Sequence, residues 1–562
     1  MQKIWKVRKY DEELIKQISK KHAISPILAK LLVSREIQED QIENFLNGNL
    51  EDLKDPFLMK DMDLFVKRVK QAISKKEKIC IYGDYDVDGI TSITIMYEFL
   101  TQLGADVCYY LPDRLIEGYG INNSALTEIA KNGTKLVITV DCGITAVEEV
   151  EFAKTLGLDI CITDHHECSD VLPSAVAIIN PKQKEDHYPF KFHAGVGVAF
   201  KCLAAIAKEY GLKEETYLKY LDIVSIGTIS DIVPLIDENR IISKLGLKAM
   251  ENTKNVGLKA LLKVINFKTI DSMMVSFGIA PRINACGRMG NAGIAVKLLL
   301  EQNEEKAIQI ARKLDELNTE RQLVEKHIYE EALEMIQKGK LDKKNSIVLY
   351  NEGWHNGVIG IVASRLVNLY YKPVILLTKE HGMIRGSGRC EPGFSIYEAL
   401  TECKEDLLQF GGHELAAGLS LEEKNIEAFV QDFENATKKR NSGVQEQIID
   451  IDMQIDKKDL TGQIIKDIFT LRPYGQSNKV PLFIYKGLRV VAIRTIKEEK
   501  HLKLTLQDGK ALIEGIAFSQ GNRRDEIIVG NKIDVVGNIE VNTYHTPKTI
   551  QIVIQDFKRA VD

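Results

Sequence analysis

Between Ile81 and Ser92 the chain reads IYGDYDVDGITS, with aspartates at 84, 86 and 88. Three carboxylates this close raise one another's proton affinity unless a cation lies among them. Further on, LVITVDCG supplies Asp141, CITDHHE supplies Asp164, His165 and His166, and VSIGTISDIVPL supplies Asp231. Carboxylate and imidazole together suit Mn²⁺ or Mg²⁺, whereas a structural zinc site wants several thiolates. So many ligands imply two ions, and a pair about 4 Å apart activates a water and stabilises both the attacking and the leaving oxygen of a phosphoryl displacement.

Blander readings compete. Asp84, Asp86, Asp88 and Gly89 fit the start of a calcium-binding EF-hand loop, but its twelfth position falls on Ile95 where a glutamate is needed, and KICIY before it reads as a strand. A zinc site from Cys161, His165 and Cys168 has the ligand types but an irregular spacing. Any one strand-end aspartate is more often a helix cap or turn former. Asp164 could cap its turn and orient His165.

These residues need a scaffold that gathers them. From Lys78, β-branched runs alternate with helical patterns (KICIYGD, DVCYYLP, KLVITVDCG, DICITDHH, VAIINP), which predicts a parallel sheet covered on both faces. Open α/β sheets bind ligands beyond the carboxyl ends of their strands, where the acids and histidines fall. A helical stretch follows from about Ala194, ending in the long charged pattern NEEKAIQIARKLDELNTERQLVEKHIYEEALEMIQKG, whose apolar positions do not sustain heptads. A second α/β unit starts at SIVLYNEGWHNGVIGIVASRL, and beyond about Gln445 short strand patterns suggest a small β-barrel. AGVGVAFK lacks the third glycine of a nucleotide loop and reads as a helix start.

At 562 residues the chain is too long for one core. Its net charge of -5 excludes a uniformly basic nucleic-acid coat and leaves room for a local positive channel. Nine scattered cysteines without a C-x-x-C pair fit a cytosolic location, and neither a signal peptide nor a membrane-spanning run is expected.

GDYDVDG, VDCG, DHHE and SDIVPL, in this order, resemble the four motifs of the DHH phosphoesterase superfamily. LPDRLIEGYG, APRINACGRM, WHNGVIGIVASRL, RGSGR, FGGHELAAG and PYGQSNKVPLF extend the likeness, from about Asp55 to Asp556, to its RecJ branch, the bacterial single-strand DNA exonucleases. The resemblance implies an α/β fold: an N-terminal helical extension (1–56), a parallel-sheet DHH domain (57–300), a connecting helix (301–342), a smaller α/β DHHA1 domain (343–444) and an OB-fold β-barrel (445–562). It implies Asp86 and Asp88 as ligands to a first and second metal, Asp141 bridging them, and His165 and Asp231 completing the second site. His166 would meet the scissile phosphate, with Asp141 and Asp164 also in the catalytic group. Many relatives have a histidine where this chain has Tyr82, a poor ligand at neutral pH, so either the first site is weaker or Asp84 substitutes.

By the same resemblance Arg114, Ser387 and Arg389 grip a 5′ phosphate, which arginine forks and glycine-exposed amides can do. Gly411, Gly412 and His413 would close over the substrate, and Arg282, Asn284 and Arg288 would add backbone contacts, with a salt-bridge role for these three nearly as well supported. Phe483, Tyr485 and Tyr544 are candidate stacking platforms on the barrel, or equally its core. The implied activity is a 5′ to 3′ exonuclease on single-stranded DNA in repair and recombination, using two Mn²⁺ or Mg²⁺ ions and meeting single-strand-binding protein and other repair proteins, with no membrane partner. The alternatives are a DHH phosphodiesterase on short oligonucleotides or cyclic dinucleotides, and a non-catalytic DNA-binding scaffold.

Overall fold

The computed structural model describes residues 3–112, 117, 120–267, 269–380, 382–440, 447–542 and 549–560. They divide into two compact units, one made of 56–231 with 249–446, the other of 1–55, 232–248 and 447–562.

The larger unit holds two sheets. In the first, five parallel strands lie in the order Val107–Tyr110, Lys78–Gly83, Thr134–Val140, Asp159–Thr163 and Ala177–Ile179. Numbered along the chain this is order 2-1-3-4-5, so the direction of winding reverses between the Lys78–Gly83 and Thr134–Val140 strands. Helices leaving those two strands diverge to opposite faces, which opens a crevice at their carboxyl ends. Asp84 and Asp141 follow these two strands directly.

After Gly83 the chain turns sharply into the helix Val87–Gln102, capped by Asp86, whose Oδ1 accepts the N–H of Asp88 at 2.9 Å and of Gly89 at 3.2 Å. This helix is rich in β-branched residues and buried on almost every side, so tertiary packing decides its conformation.

The 36-residue helix Glu304–Gly339, about 54 Å long at 1.5 Å per residue, buries one narrow stripe running from Ala307 and Ala311 to Ala332 and Ile336. Its first half packs on the helices Val256–Ile265 and Ala280–Arg288, its second on Asn356–Tyr370. The second sheet follows, in the order Gln409–Gly412, Ala416–Leu421, Met383–Arg389, Val374–Glu380 and Ile347–Tyr350, with only its last two strands parallel.

In the other unit, Phe483–Ile496, His501–Asp508, Ala511–Ala517, Thr549–Arg559 and Lys532–Asn542 run side by side, and the last pairs back with the first to close a barrel. That 1-2-3-5-4-1 circuit is the OB-fold arrangement. Residues 3–55, most of the 1–56 segment expected as an extension of its own, share a core with it: Ile15, Leu28, Leu31, Leu32 and Phe45 belong to one buried cluster with Leu488, Leu504 and Ile554. Ile4–Val7 adds a parallel strand beside Ile448–Ile451. Arg240, 2% exposed, fastens this unit by donating to the carbonyls of Phe45, Thr470, Leu471, Arg472 and Pro473. Phe483 and Tyr485 are 2% and 3% exposed, which makes them barrel core and leaves no face for a base to stack on.

Candidate active site

Six of the expected metal ligands meet at the crevice. Ligand atoms of Asp84, Asp86 and Asp141 lie within 4.8 Å of one another, as do those of Asp88, His165 and Asp231, and those of Asp141, His165 and His166. Asp141 adopts φ 60°, the left-handed region that an aspartate tolerates better than most residues, and this aims its carboxylate back across the strand ends. His165 Nε2 stands 3.1 Å from Asp141 Oδ1, 3.5 Å from Asp231 Oδ2 and 3.9 Å from Asp88 Oδ2. Its ring also bonds the backbone of His193, which turns Nε2 toward the carboxylates.

The electrostatics are costly without a cation. Burial first, then repulsion from neighbouring aspartates, pushes Asp88 and Asp141 far above the usual carboxylate range, and the same causes, with burial again first, lift Asp231 to about 7. Burial and the neighbouring His166 push His165 down to about 3, so it faces the acids as a neutral ligand. Asp141 Oδ1 and His165 Nε2 are both buried without a hydrogen-bond partner. Two acceptor atoms left facing each other in a carboxylate cluster suit a shared divalent ion.

The cradle is built from backbone as much as from side chains. Asp88 takes the N–H of Gly195 on Oδ2 at 2.6 Å and of Val196 on Oδ1 at 2.8 Å, the exposed amides at the start of the helix Gly195–Glu209. A Cβ at Gly195 would lie 2.5 Å from Asp141 Oδ1, so only glycine lets this helix end approach. The AGVGVAFK stretch is thus a helix start whose amides hold a candidate ligand, a function its sequence did not reveal.

Asp164, expected in the catalytic group, is fully engaged. Its Oδ1 accepts the N–H of His165 at 2.7 Å, the N–H of His166 at 3.1 Å and His166 Nδ1–H at 2.7 Å, while Oδ2 accepts the N–H of Ile144 at 2.9 Å. It therefore holds His166 in place, with both of its oxygens taken up by donors of the chain itself. Burial pulls His166 down, but the bond and charge of Asp164 outweigh it and raise the imidazole to about 9. With 38% of its side chain exposed, His166 is the most open of the site's imidazoles. Tyr82 turns away, donating its hydroxyl to the Gly120 carbonyl at 2.9 Å and stacking on Tyr110, while Asp84 sits in the first ligand group. Neither Cys161 nor Cys168 joins any metal-capable group among the described residues.

The expected substrate residues divide. Arg389 donates to Ser387 Oγ at 3.0 Å, and Ser387 lines a cavity of about 360 Å³ with Tyr85, Gly360, Gly411, Gly418 and Ser420. Gly412, at φ 145°, and His413 are exposed at the turn of a hairpin. Arg282 spends its guanidinium on Asp315 at 2.7 Å and on the Gly278 carbonyl at 2.7 Å, a tie between helices. Arg288 donates to the Gly357 carbonyl at 3.1 Å, and Asn284 is half-buried on the same helix. Arg114 and Tyr544 lie outside the described residues.

Residues 78–228 match the model of the DHH family N-terminal domain, residues 343–439 the DHHA1 domain and residues 451–556 the RecJ OB domain. The single-stranded-DNA-specific exonuclease RecJ of Bacillus subtilis is 39% identical over 561 residues, spanning 98% of this chain and 70% of that protein. The crystal structure of RecJ from Thermus thermophilus in complex with Mn²⁺ matches 100% of this chain and 80% of its own, at 27% identity and a TM-score of 0.87. The Mg²⁺ complex of the same protein matches 100% of this chain and 79% of its own, at 26% identity and a TM-score of 0.81. Three domains in one order, a relative similar along nearly the whole chain, and a fold shared with metal-bound structures lead to one conclusion: the chain belongs to the RecJ family.

Proposed function

We propose that this protein is a single-stranded-DNA-specific exonuclease that hydrolyses phosphodiester bonds from a 5′ end, releasing 5′-mononucleotides in DNA repair and recombination. The observation that carries the reading is the crevice where Asp84, Asp86, Asp88, Asp141, His165 and Asp231 converge, with Asp141 Oδ1 and His165 Nε2 facing each other unpartnered at 3.1 Å. Two divalent cations, Mn²⁺ or Mg²⁺, would activate a water there and neutralise the charge that develops on the phosphate. Asp84 and Asp86 would serve one ion, Asp88, His165 and Asp231 the other, and Asp141 both.

The chain's own groups do the rest. His166, oriented by Asp164, presents its ring to the scissile phosphate and, when protonated, donates a hydrogen bond to a phosphate oxygen. Ser387 and Arg389, with Arg114, take the 5′ phosphate and so set polarity. The glycine-paved strands leave room for a sugar-phosphate backbone close to the sheet. The barrel adds affinity for the strand through backbone electrostatics. Its presence argues against a small-substrate phosphodiesterase, and the complete ligand set argues against a non-catalytic scaffold. Single-strand-binding protein is the partner such an enzyme would meet on its substrate, in the cytoplasm; among the described residues no helix is long and apolar enough to cross a membrane.

Digestion of a single strand labelled at one end or the other, with Mn²⁺, Mg²⁺ or chelator, tests the proposal. The 5′ label should leave first as a mononucleotide, and only with metal. Release of the 3′ label first, or turnover in chelator, would overturn it.

A further inference from the structure

Cys80 and Cys108 sit on adjacent parallel strands, Lys78–Gly83 and Val107–Tyr110, as direct register partners. Strands in a sheet lie about 4.8 Å apart, within the Cα separation of roughly 4.4 to 6.8 Å that a disulfide spans. Both side chains point to the same face, where Cys80 belongs to a buried cluster and Cys108 packs against it. The Cys108 thiol donates to the Ile79 carbonyl at 3.6 Å, on the strand that carries Cys80. Cys108 lies on the edge strand and is half-buried, whereas Cys80 is 1% exposed. No other two cysteines are register partners among the described strands.

We infer that Cys80 and Cys108 form a reversible thiol-oxidation site in the catalytic sheet, with hydrogen peroxide or a small organic hydroperoxide as oxidant. The chemistry is asymmetric. The neighbouring Cys80 thiol, helped by the charge of Lys78, pulls the Cys108 thiol down to about 7, and Cys80 is pushed up by its neighbour and by burial. Cys142, Cys161, Cys202, Cys286, Cys390 and Cys403 are all pushed up by burial, and so is half-buried Cys168. Cys108 is therefore the nucleophile. Its thiolate attacks one peroxide oxygen, the O–O bond breaks, and the departing hydroxide takes a proton to become water, leaving a sulfenic acid. The Cys80 sulfur then attacks the oxidised sulfur, the S–S bond forms, the S–O bond breaks, and hydroxide leaves with the Cys80 proton as a second water. With hydrogen peroxide two thiols become one disulfide and two waters; with an organic hydroperoxide the first leaving group is the alkoxide, which takes the proton and departs as the alcohol. By closing the bond, Cys80 keeps Cys108 from the irreversible sulfinic state.

The full-length reduced protein is exposed to hydrogen peroxide, quenched with N-ethylmaleimide, digested and mapped by mass spectrometry. The first linked peptide should join Cys80 to Cys108, lack two hydrogens, and revert with dithiothreitol. Before oxidation, Cys108 should react with the maleimide at pH 7 at least about tenfold faster than Cys168, given its larger thiolate fraction. In Cys80→Ala, Cys108 should be trapped by dimedone and pass on to a sulfinic acid that dithiothreitol does not restore. Recovery of Cys80 and Cys108 as separate maleimide adducts while other cysteines oxidise would overturn the proposal, as would a Cys108 no more reactive than Cys168. Both of these readouts use the unmutated chain and stand even if Cys80→Ala does not fold.

Discussion

Replacing Asp164 by asparagine tests how the site is held together. The carboxylate accepts four hydrogen bonds, three of them on Oδ1. An amide has one acceptor oxygen. If that oxygen faces His165 and His166, the NH₂ group points at the Ile144 N–H, donor against donor; if it is flipped, three donors lose their acceptor. Either way at least one buried donor is left unmet, which costs about 1–3 kcal/mol of stability. Loss of the charge also frees the His166 ring to rotate and to shed its proton. Substitutions of groups that orient a catalytic side chain typically cost about 10- to 100-fold, or about 1.4 to 2.7 kcal/mol of activation free energy. Turnover of a labelled single strand in saturating Mn²⁺ should fall by that factor in Asp164→Asn, with KM for DNA little changed. The decisive comparison is made in His166→Ala: if Asp164 acts through His166, adding Asp164→Asn should cost less than about a further twofold. Full additivity of the two losses, or a folded Asp164→Asn protein with wild-type turnover, would refute the reasoning.

Other substitutions probe the remaining parts. Asp141→Ala should abolish hydrolysis in Mn²⁺ while single-strand binding stays measurable; near-normal turnover would remove Asp141 from the bridging role. Gly195→Ala places a methyl 2.5 Å from Asp141 Oδ1, so the Mn²⁺ concentration for half-maximal activity should rise at least about tenfold without global unfolding, as a metal titration would read. Arg389→Ala should narrow the preference for 5′-phosphorylated over 5′-hydroxyl ends, and an unchanged ratio would contradict the phosphate pocket. Arg240→Ala strips five carbonyls of a donor and should lower stability by at least about 3 kcal/mol, seen as a lower urea midpoint with amide exchange quickened in residues 470–472.

The acids and imidazoles were legible because strand and helix periodicities are local, and the rule that ligands sit beyond strand carboxyl ends needs no knowledge of packing. With the KICIY strand pattern before them, Asp84, Asp86 and Asp88 mark a strand-to-helix turn. What sequence left open depends on contacts between distant segments. Nothing near Gly195 announces that its N–H reaches Asp88, 107 residues away. The role of Asp164 turned on which of two adjacent histidines its carboxylate faced. Tyr82 could be recognised as an unusual residue, but only its rotamer, turned to Gly120 and Tyr110, takes it out of the ligand set. Arg282 fits a phosphate grip by type, and its commitment to Asp315 follows from how two helices pack.

The core that joins residues 1–55 to 447–562 constrains the order of events on the ribosome. Ile15, Leu28, Leu31, Leu32 and Phe45 emerge early but find their partners in the barrel only after roughly 400 further residues have been made. At about 5 to 20 residues per second that interval is roughly 20 to 80 s. During it the helices Glu12–Lys21 and Pro26–Val33 have each other to pack on but not the barrel, a window in which a chaperone binding exposed leucine-rich helices would improve the yield of native enzyme.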